Sequence, residues 1–303
     1  MEAPSSTGIS IRGVWEDLVS LTKARLSVLV VITGVFGYLV ATKVNGTFSF
    51  GGLIHTTFGT LLAALGAAVF NQIMEVDADA RMSRTAERPL PANRIPRGGA
   101  FVIGFLLSAF GVVHLSMMTN FAAGAFAAST LFVYLFIYTP LKRKSSFNTI
   151  VGAVAGALPP LIGWAAGGGD LAGTGAMFLF ALLFFWQLPH FAAINWMYRE
   201  EYIKGGFVMW SNHDEMGQKT ARLALLFSVC LAGVGIFGGV ASVLNWWAAL
   251  VFIGLGGYMC YLSFVFLKSS QRSDARKLFF FTLMYLPLVM IFGYFGWITK
   301  NGI

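Results

Sequence analysis

Long apolar runs alternate with short polar stretches from residue 26 to residue 298. Nine runs stand out, at 26–42, 52–74, 98–118, 121–139, 149–167, 172–196, 221–243, 246–267 and 278–298. Each is about 17–25 residues long and almost free of charge, which suits a helix crossing the ~30 Å apolar interior of a bilayer. The link between the third and fourth runs is so short that they predict an antiparallel hairpin. Residues 10–25 read differently: Ile11, Val14, Trp15, Leu18 and Leu21 recur at helical spacing among charged neighbours. That segment predicts an amphipathic helix lying on the inner membrane surface. The expected fold is an all-α, polytopic membrane helix bundle with nine transmembrane helices. Residues 26–298 form its single domain, residues 1–25 an inner tail with the interfacial helix, and residues 299–303 an outer tail.

Composition agrees. Hydrophobic residues make up 57% of the 303 and charged residues only 11%, against about 25% charge in a soluble domain. The mean hydropathy is +0.72. Residues 1–25 contain Glu2, Glu16, Asp17 and Lys23 and lack a continuous apolar core, so no cleavable leader is expected. Cys230 and Cys260 both fall inside spans and form neither a disulfide framework nor a metal-ligand pair.

Charge sets an orientation. With the N-terminus inside, all of the 21 Lys and Arg except Lys43 and Lys300 fall in inner segments. The excess of basic residues on the cytoplasmic side therefore predicts N-in and C-out. The net charge of +8 reports this topology and gives no reason to expect nucleic acid as a partner. Of the 13 Asp and Glu, only Asp170 falls outside. The acids cluster at the inner ends of the second and sixth spans, each followed by an inner loop of similar length. This spacing suggests an internal repeat, with halves 26–148 and 149–277 plus a ninth helix.

The first cluster is NQIMEVDADARMSRTAERPLP, residues 71–91. At ~100° per residue, Asn71, Glu75 and Asp79 fall within about 80° on one helix face, while Asp77 turns roughly 200° from Glu75. Hard oxygen donors of this kind suit Mg²⁺, which takes one or two carboxylates and completes its shell with water and phosphate oxygens. Arg84 and Arg88 follow four residues apart, and guanidinium groups pair bidentately with phosphate. The competing reading is a positive-inside loop whose acids merely neutralise its arginines. In the second cluster, WQLPHFAAINWMYREEYIKGG (186–206), His190, Met197 and Glu201 project within about 40° on a continuous helix. Tyr198 and Tyr202 form the adjacent row and Arg199 points elsewhere. Glu201 reads either as a second metal-site carboxylate or as a solvated acid paired with Arg199 or Lys204. A third inner loop, YTPLKRKSSFNT (138–149), offers Lys142 and Arg143 to an anion, or to lipid headgroups.

These runs carry a resemblance. NQIMEVDADARMSRTAERPL is similar to the first motif, NDxxDxxxD, of the intramembrane UbiA prenyltransferase superfamily. Asn71, Glu75 and Asp79 stand at its polar positions, with Glu for the first Asp and Gln72 at the second place. YTPLKRKSSFNT, GAVAGALPPLIGW and WQLPHFAAINWMYREEY follow in order and resemble the haem-farnesylating branch, over about residues 20 to 295. Quinone-type members carry something like DREDD where this chain has YREEY, and Glu201 stands where the haem branch usually has Asp.

The resemblance implies an Mg²⁺-dependent transferase that moves the farnesyl group of farnesyl diphosphate to a vinyl group of haem b, with hydration. Haem b is then a substrate rather than a cofactor. Asn71, Glu75 and Asp79, assisted by Glu201, become the implied metal-binding and catalytic set. Arg84, Arg88, Lys142 and Arg143 become the implied diphosphate ligands. His190, Tyr198, Arg199 and Tyr202 become further implied substrate-binding residues. For His190 two roles stay open, ligation of the haem iron or a hydrogen bond beside Pro189. The resemblance further implies active-site loops on the cytoplasmic side of the inner membrane, contact with its lipids, and a downstream haem A synthase as a partner. Two alternatives stand beside it, a quinone-type aromatic acceptor and a haem or ion transporter. Transport sites sit near the bilayer midplane, whereas these acids gather at one interface.

Overall fold

The computed structural model describes residues 11–299. The first ten residues of the expected inner tail, and residues 300–303 of the expected outer tail, lie outside the described residues. Helices and their connecting loops make up the described residues: α1 (Ile11–Leu21), α2 (Ala24–Asn45), α3 (Phe50–Asp79), α4 (Arg97–Met118), α5 (Phe121–Leu141), α6 (Asn148–Ala166), α7 (Thr174–Met197), α8 (Arg199–Gly205), α9 (Gln218–Val240), α10 (Trp246–Ser269) and α11 (Arg272–Gly296). Among the described residues, nine of these are long and apolar enough to cross a bilayer, one for each expected span. The amphipathic segment forms α1, and α8 is the other short helix.

Local chemistry sets the boundaries. Ser49 and Asn120 cap α3 and α5 by accepting the backbone N–H groups of Gly52 and Ala123. Lys23 turns left-handed (φ 46°) between α1 and α2. At 30 residues α3 is the longest helix. It spans about 45 Å, well beyond the ~30 Å apolar layer, so it is long enough to carry its charged last turns past that layer.

Two irregularities shape the interior. In α5, residues Val133–Tyr138 form a π-helical turn. The Thr139 N–H reaches back five residues to the Tyr134 carbonyl, and the Thr139 hydroxyl donates to the same oxygen at 2.8 Å. Pro140 follows, without an N–H of its own. In α6, Pro159 and Pro160 interrupt the hydrogen-bond ladder after Leu158. The first half of α6 lies against α7, and the second half against α2 and α5. The α2–α6 contact is backbone on backbone: a Cβ on Gly163 would collide with the Gly34 carbonyl, and one on Gly37 with the Pro160 carbonyl. Small residues at such positions let membrane helices approach closely.

The largest buried cluster centres on α7, where Phe178, Leu179, Leu182 and Leu183 meet Phe252, Phe266 and Tyr285 of α10 and α11. The outer surface carries exposed Phe101, Phe105, Phe110, Phe136, Met284 and Phe295. An apolar exterior of this extent fits lipid and would be a liability in water. At one end of the bundle, the C-termini of α3, α5 and α7 meet the loop 80–96 and α8. At the other end, the C-termini of α2, α4 and α6 surround a cavity of about 560 Å³ lined by Tyr38, Ser49, His55 and Gly167.

Candidate active site

The last two turns of α3 carry a polar column. Asn71, Glu75 and Asp79 are all buried on one face, while Asp77 is exposed on the opposite side. Each member of the column meets one basic group from a different part of the chain. Lys23 Nζ donates to Asn71 Oδ1. Lys142 Nζ lies 2.8 Å from Glu75 Oε1, and an Arg88 guanidinium nitrogen lies 2.6 Å from Asp79 Oδ2. Asn71 also donates to the Thr139 hydroxyl at 3.3 Å, which joins the column to the π turn of α5. Asp77 pairs at the surface with Arg97.

These groups surround a cavity of about 200 Å³. Its charged wall is Glu75, Asp79, Lys23, Arg84, Arg88 and Lys142. Its deeper wall is aromatic and amide-bearing: Tyr138, Phe191, Tyr202 and Phe207 with Asn148 and Asn195. Lys142 lies 4.4 Å from the centre of the Tyr138 ring, an additional cation–π contact.

The framework around the cavity is tied together by backbone contacts. Gln72 donates to the carbonyls of Ser20 (2.7 Å) and Leu21 (2.9 Å), which clamps the end of α1 and positions Lys23. Arg94, in the loop 80–96, pairs with Asp17 of α1. The Thr85 hydroxyl donates to the Asp79 carbonyl, and Arg81 donates to the Gly205 carbonyl.

Burial and charge pull the titrating groups in different directions. Burial lowers the Lys142 pKa, but the charge of Glu75 and its hydrogen bond, with the nearby tyrosines, outweigh that and hold it well above the ordinary lysine value. Burial also acts on Lys23, and there it wins: Glu75 offsets it only in part, and the pKa falls to about 8. Burial raises the Tyr202 hydroxyl against the opposing charge of Arg84.

Of the sequence-derived site residues, the structure brings Glu75, Asp79, Arg84, Arg88, Lys142 and Tyr202 to one cavity, and Asn71 is bonded to Lys23 of its wall. The others stand apart. Glu201 accepts the Ser83 N–H at 2.8 Å and pairs with Lys204. Those hydrogen bonds lower its pKa despite some desolvation. Tyr198, with the Arg84 guanidinium 5.0 Å above its ring, lines a separate cleft of about 350 Å³ together with Arg199, Glu201 and Arg272. Arg199 donates to the Asp214 carbonyl, and Arg143 reaches only toward the Met74 carbonyl. His190 bonds the Thr282 hydroxyl through Nδ1 at 2.8 Å and stacks between Trp186 and Phe279. Lys23, Tyr138 and Asn195 line the cavity without having been singled out. The signal for Lys23 was its place between an amphipathic helix and the first span, where it had been counted only toward topology.

Among the described residues, no three His, Cys, Asp or Glu side chains converge. Glu75 and Asp79 nonetheless line one cavity, and their carboxylates match Mg²⁺, which takes one or two carboxylates and fills its remaining positions with water and phosphate oxygens. A cation there would take the places of Lys142 and Arg88, leaving both free for another anion.

Known proteins give the context. The pattern of the UbiA prenyltransferase family matches residues 30–285. The chain is 39% identical over 286 residues to a protein of Opitutus terrae called protoheme IX farnesyltransferase, covering 94% of this chain and 96% of that one. It is 38% identical to the mitochondrial protein of that name from Arabidopsis thaliana, covering 92% of this chain and 63% of the longer plant protein. Among solved structures it superimposes on a digeranylgeranylglyceryl phosphate synthase with a TM-score of 0.77 at 17% identity, covering 93% and 98% of the two chains. A UbiA homologue from Archaeoglobus fulgidus bound to GPP and Mg²⁺ gives 0.68 at 12% identity, covering 92% and 98%. At these identities the solved structures establish a shared fold, and the sequence relatives establish the lineage. By both, the chain belongs to the UbiA prenyltransferase family, in the group whose relatives bear the name protoheme IX farnesyltransferase.

Proposed function

We propose that this protein transfers the farnesyl group of farnesyl diphosphate to a vinyl group of haem b, with hydration, giving haem O and diphosphate. One observation carries the reading: two carboxylates and four cations converge on a single cavity at the polar end of an apolar bundle, in a chain 39% identical to a protoheme IX farnesyltransferase. Four cations exceed what two carboxylates need, and the surplus suits an anion of high charge. The surrounding apolar helices suit a prenyl tail.

On this reading Arg84, Arg88, Lys142 and Lys23 bind the diphosphate, and Asn71, Glu75 and Asp79 hold Mg²⁺. Mg²⁺, when bound, neutralises charge on the diphosphate as the leaving group departs. The C1–O bond breaks with its electron pair going to the diphosphate, and the fixed cations stabilise that charge where it develops. The rings of Tyr138, Tyr202 and Phe207 face the developing allylic cation and keep water from it. The terminal vinyl carbon of haem b bonds to C1. The cation left on the carbon beside the porphyrin takes up water and releases a proton.

Glu201 supports this chemistry by fixing the loop through Ser83, and Arg143 and Arg199 by holding neighbouring backbone. His190 belongs with the acceptor, tethered by Thr282. The asymmetry of basic residues supports a cavity open to the cytoplasm, and a haem A synthase is the kind of enzyme that would take the product onward. Membranes containing the protein, incubated with haem b, farnesyl diphosphate and Mg²⁺, are expected to yield the mass of hydroxyethylfarnesyl haem. Prenylation of a quinone precursor instead, or haem flux across vesicles without any adduct, would overturn the proposal.

A further inference from the structure

Buried polar atoms in folded proteins almost always have hydrogen-bond partners, so each one without a partner calls for an explanation. Among the described residues five such atoms occur, on Thr60, Gln72, Ser108, Asn195 and Tyr285. Only Asn195 among them lines the charged cavity. The residue is 5% exposed, and the amide Nδ2 has no acceptor.

The residue is fixed in place although its side chain is unpaired. Asn195 sits near the end of α7, where its backbone carbonyl accepts the hydroxyl of Ser211, itself fully buried, at 2.8 Å. The turn bearing Asn195 is therefore pinned from the following loop. The amide adds two uncommitted, uncharged N–H donors to the cavity that holds Lys23, Arg84, Arg88 and Lys142.

We propose that Asn195 is a substrate-binding residue whose amide donates to a phosphate oxygen of the bound diphosphate. This rests on reading the cavity as the diphosphate site. The amide complements the cations in one respect. Lys142 and Arg88 each have an internal carboxylate to return to, whereas Asn195 finds its partner only when ligand is present. A buried donor without an acceptor destabilises the free protein, and the same donor contributes fully to binding when an anionic oxygen arrives. The site is thus set up at some expense of stability for one oxygen.

The test separates ligand binding from structure. The full chain is purified in detergent, and its Tm is measured with and without Mg²⁺ and inorganic diphosphate. KM is measured for farnesyl diphosphate and for haem b. Asn195→Leu is expected to have a Tm at or above that of the parent when no ligand is present. Its Tm rise on adding diphosphate should shrink, and its KM for farnesyl diphosphate should climb about tenfold, equivalent to ~1.4 kcal/mol, with the KM for haem unchanged. Asn195→Asp keeps the shape but places a carboxylate against the ligand; it should show a larger KM increase, and it serves if the leucine variant does not fold. An unaltered diphosphate response and KM in both variants would overturn the assignment. So would a fall in ligand-free Tm with KM preserved, the signature of a purely structural residue. Failure of the unsubstituted protein to respond to diphosphate would instead remove the diphosphate reading of the cavity, and this inference with it.

Discussion

The Lys142–Glu75 pair allows stability and activity to be pulled apart. The two side chains are 12% and 7% exposed and lie 2.8 Å apart. With an effective dielectric constant near 20, two such charges attract by about 6 kcal/mol. Desolvation of both offsets much of that, so the pair adds little net stability, yet removing one member alone leaves a buried charge uncompensated. Lys142→Met should therefore cost about 3 kcal/mol, at the lower end of the range for buried pairs, because Lys23 remains close enough to act on Glu75. For a chain of this size that is roughly a 6 °C loss in Tm. Adding Glu75→Gln removes the orphaned charge, and Lys23, now without its main counter-charge, can shed its proton. The double variant should recover at least half of the lost Tm. Prenyl transfer should fall about a hundredfold or more in both, since each lacks a cation that meets the leaving group. The assay is thermal inactivation in detergent at a fixed scan rate, beside product formation by mass. An unchanged Tm for Lys142→Met, or a double variant less stable than the single, would refute the reasoning.

Further outcomes follow from other contacts. Arg88→Ala strips the cation from buried Asp79 and should raise the KM for farnesyl diphosphate and lower Tm by several degrees, whereas Asp77→Asn, affecting only the exposed pair with Arg97, should leave both unchanged; a severe Asp77→Asn phenotype would contradict the assigned helix face. Lys23 titrates near 8 in the folded protein and at about 10.4 when unfolded. Below ~8 both states hold the proton and the cost of burying the charge is fully present; between about 8 and about 10.4 only the unfolded state holds it, so stability should rise with pH across that window. Lys23→Met should flatten that rise in a Tm-against-pH series. Gly163→Ala forces a methyl into the Gly34 carbonyl and should cost at least about 2 kcal/mol, read as lower yield and lower Tm, while Gly254→Ala, with open space around it inside α10, should keep the yield and leave Tm level or slightly higher.

Much of this molecule was legible before any coordinates. The nine spans follow from hydropathy because a bilayer demands an apolar run of fixed length, and their ends match to within three residues except at α3, which runs five residues on to Asp79, and at α11, which begins at Arg272. The column Asn71, Glu75 and Asp79 follows from helical phase, because α3 continues unbroken to Asp79. The same reasoning went astray for Glu201. Tyr198 leaves the helical conformation (φ −115°, ψ 24°) and a new helix starts at Arg199, so a wheel drawn from His190 loses its phase before reaching Glu201. The end of the π turn of α5 meets Asn71 of α3 through the Thr139 hydroxyl, a long-range contact that no local pattern encodes. Lys23 was hidden for a related reason: its position depends on the left-handed corner and on Gln72 holding the preceding carbonyls.

The glycine contact between α2 and α6 also bears on the membrane's electrical tightness. Cavities of about 200 Å³ and 560 Å³ open at opposite ends of the bundle. Water standing in both would leave only the middle of the protein to separate two compartments of different proton potential. Gly34 and Gly37 against Pro160 and Gly163 bring α2 and α6 into backbone contact in that middle, leaving no room for water along this one seam. A protein hydrated at both ends then conducts no water along the seam between α2 and α6.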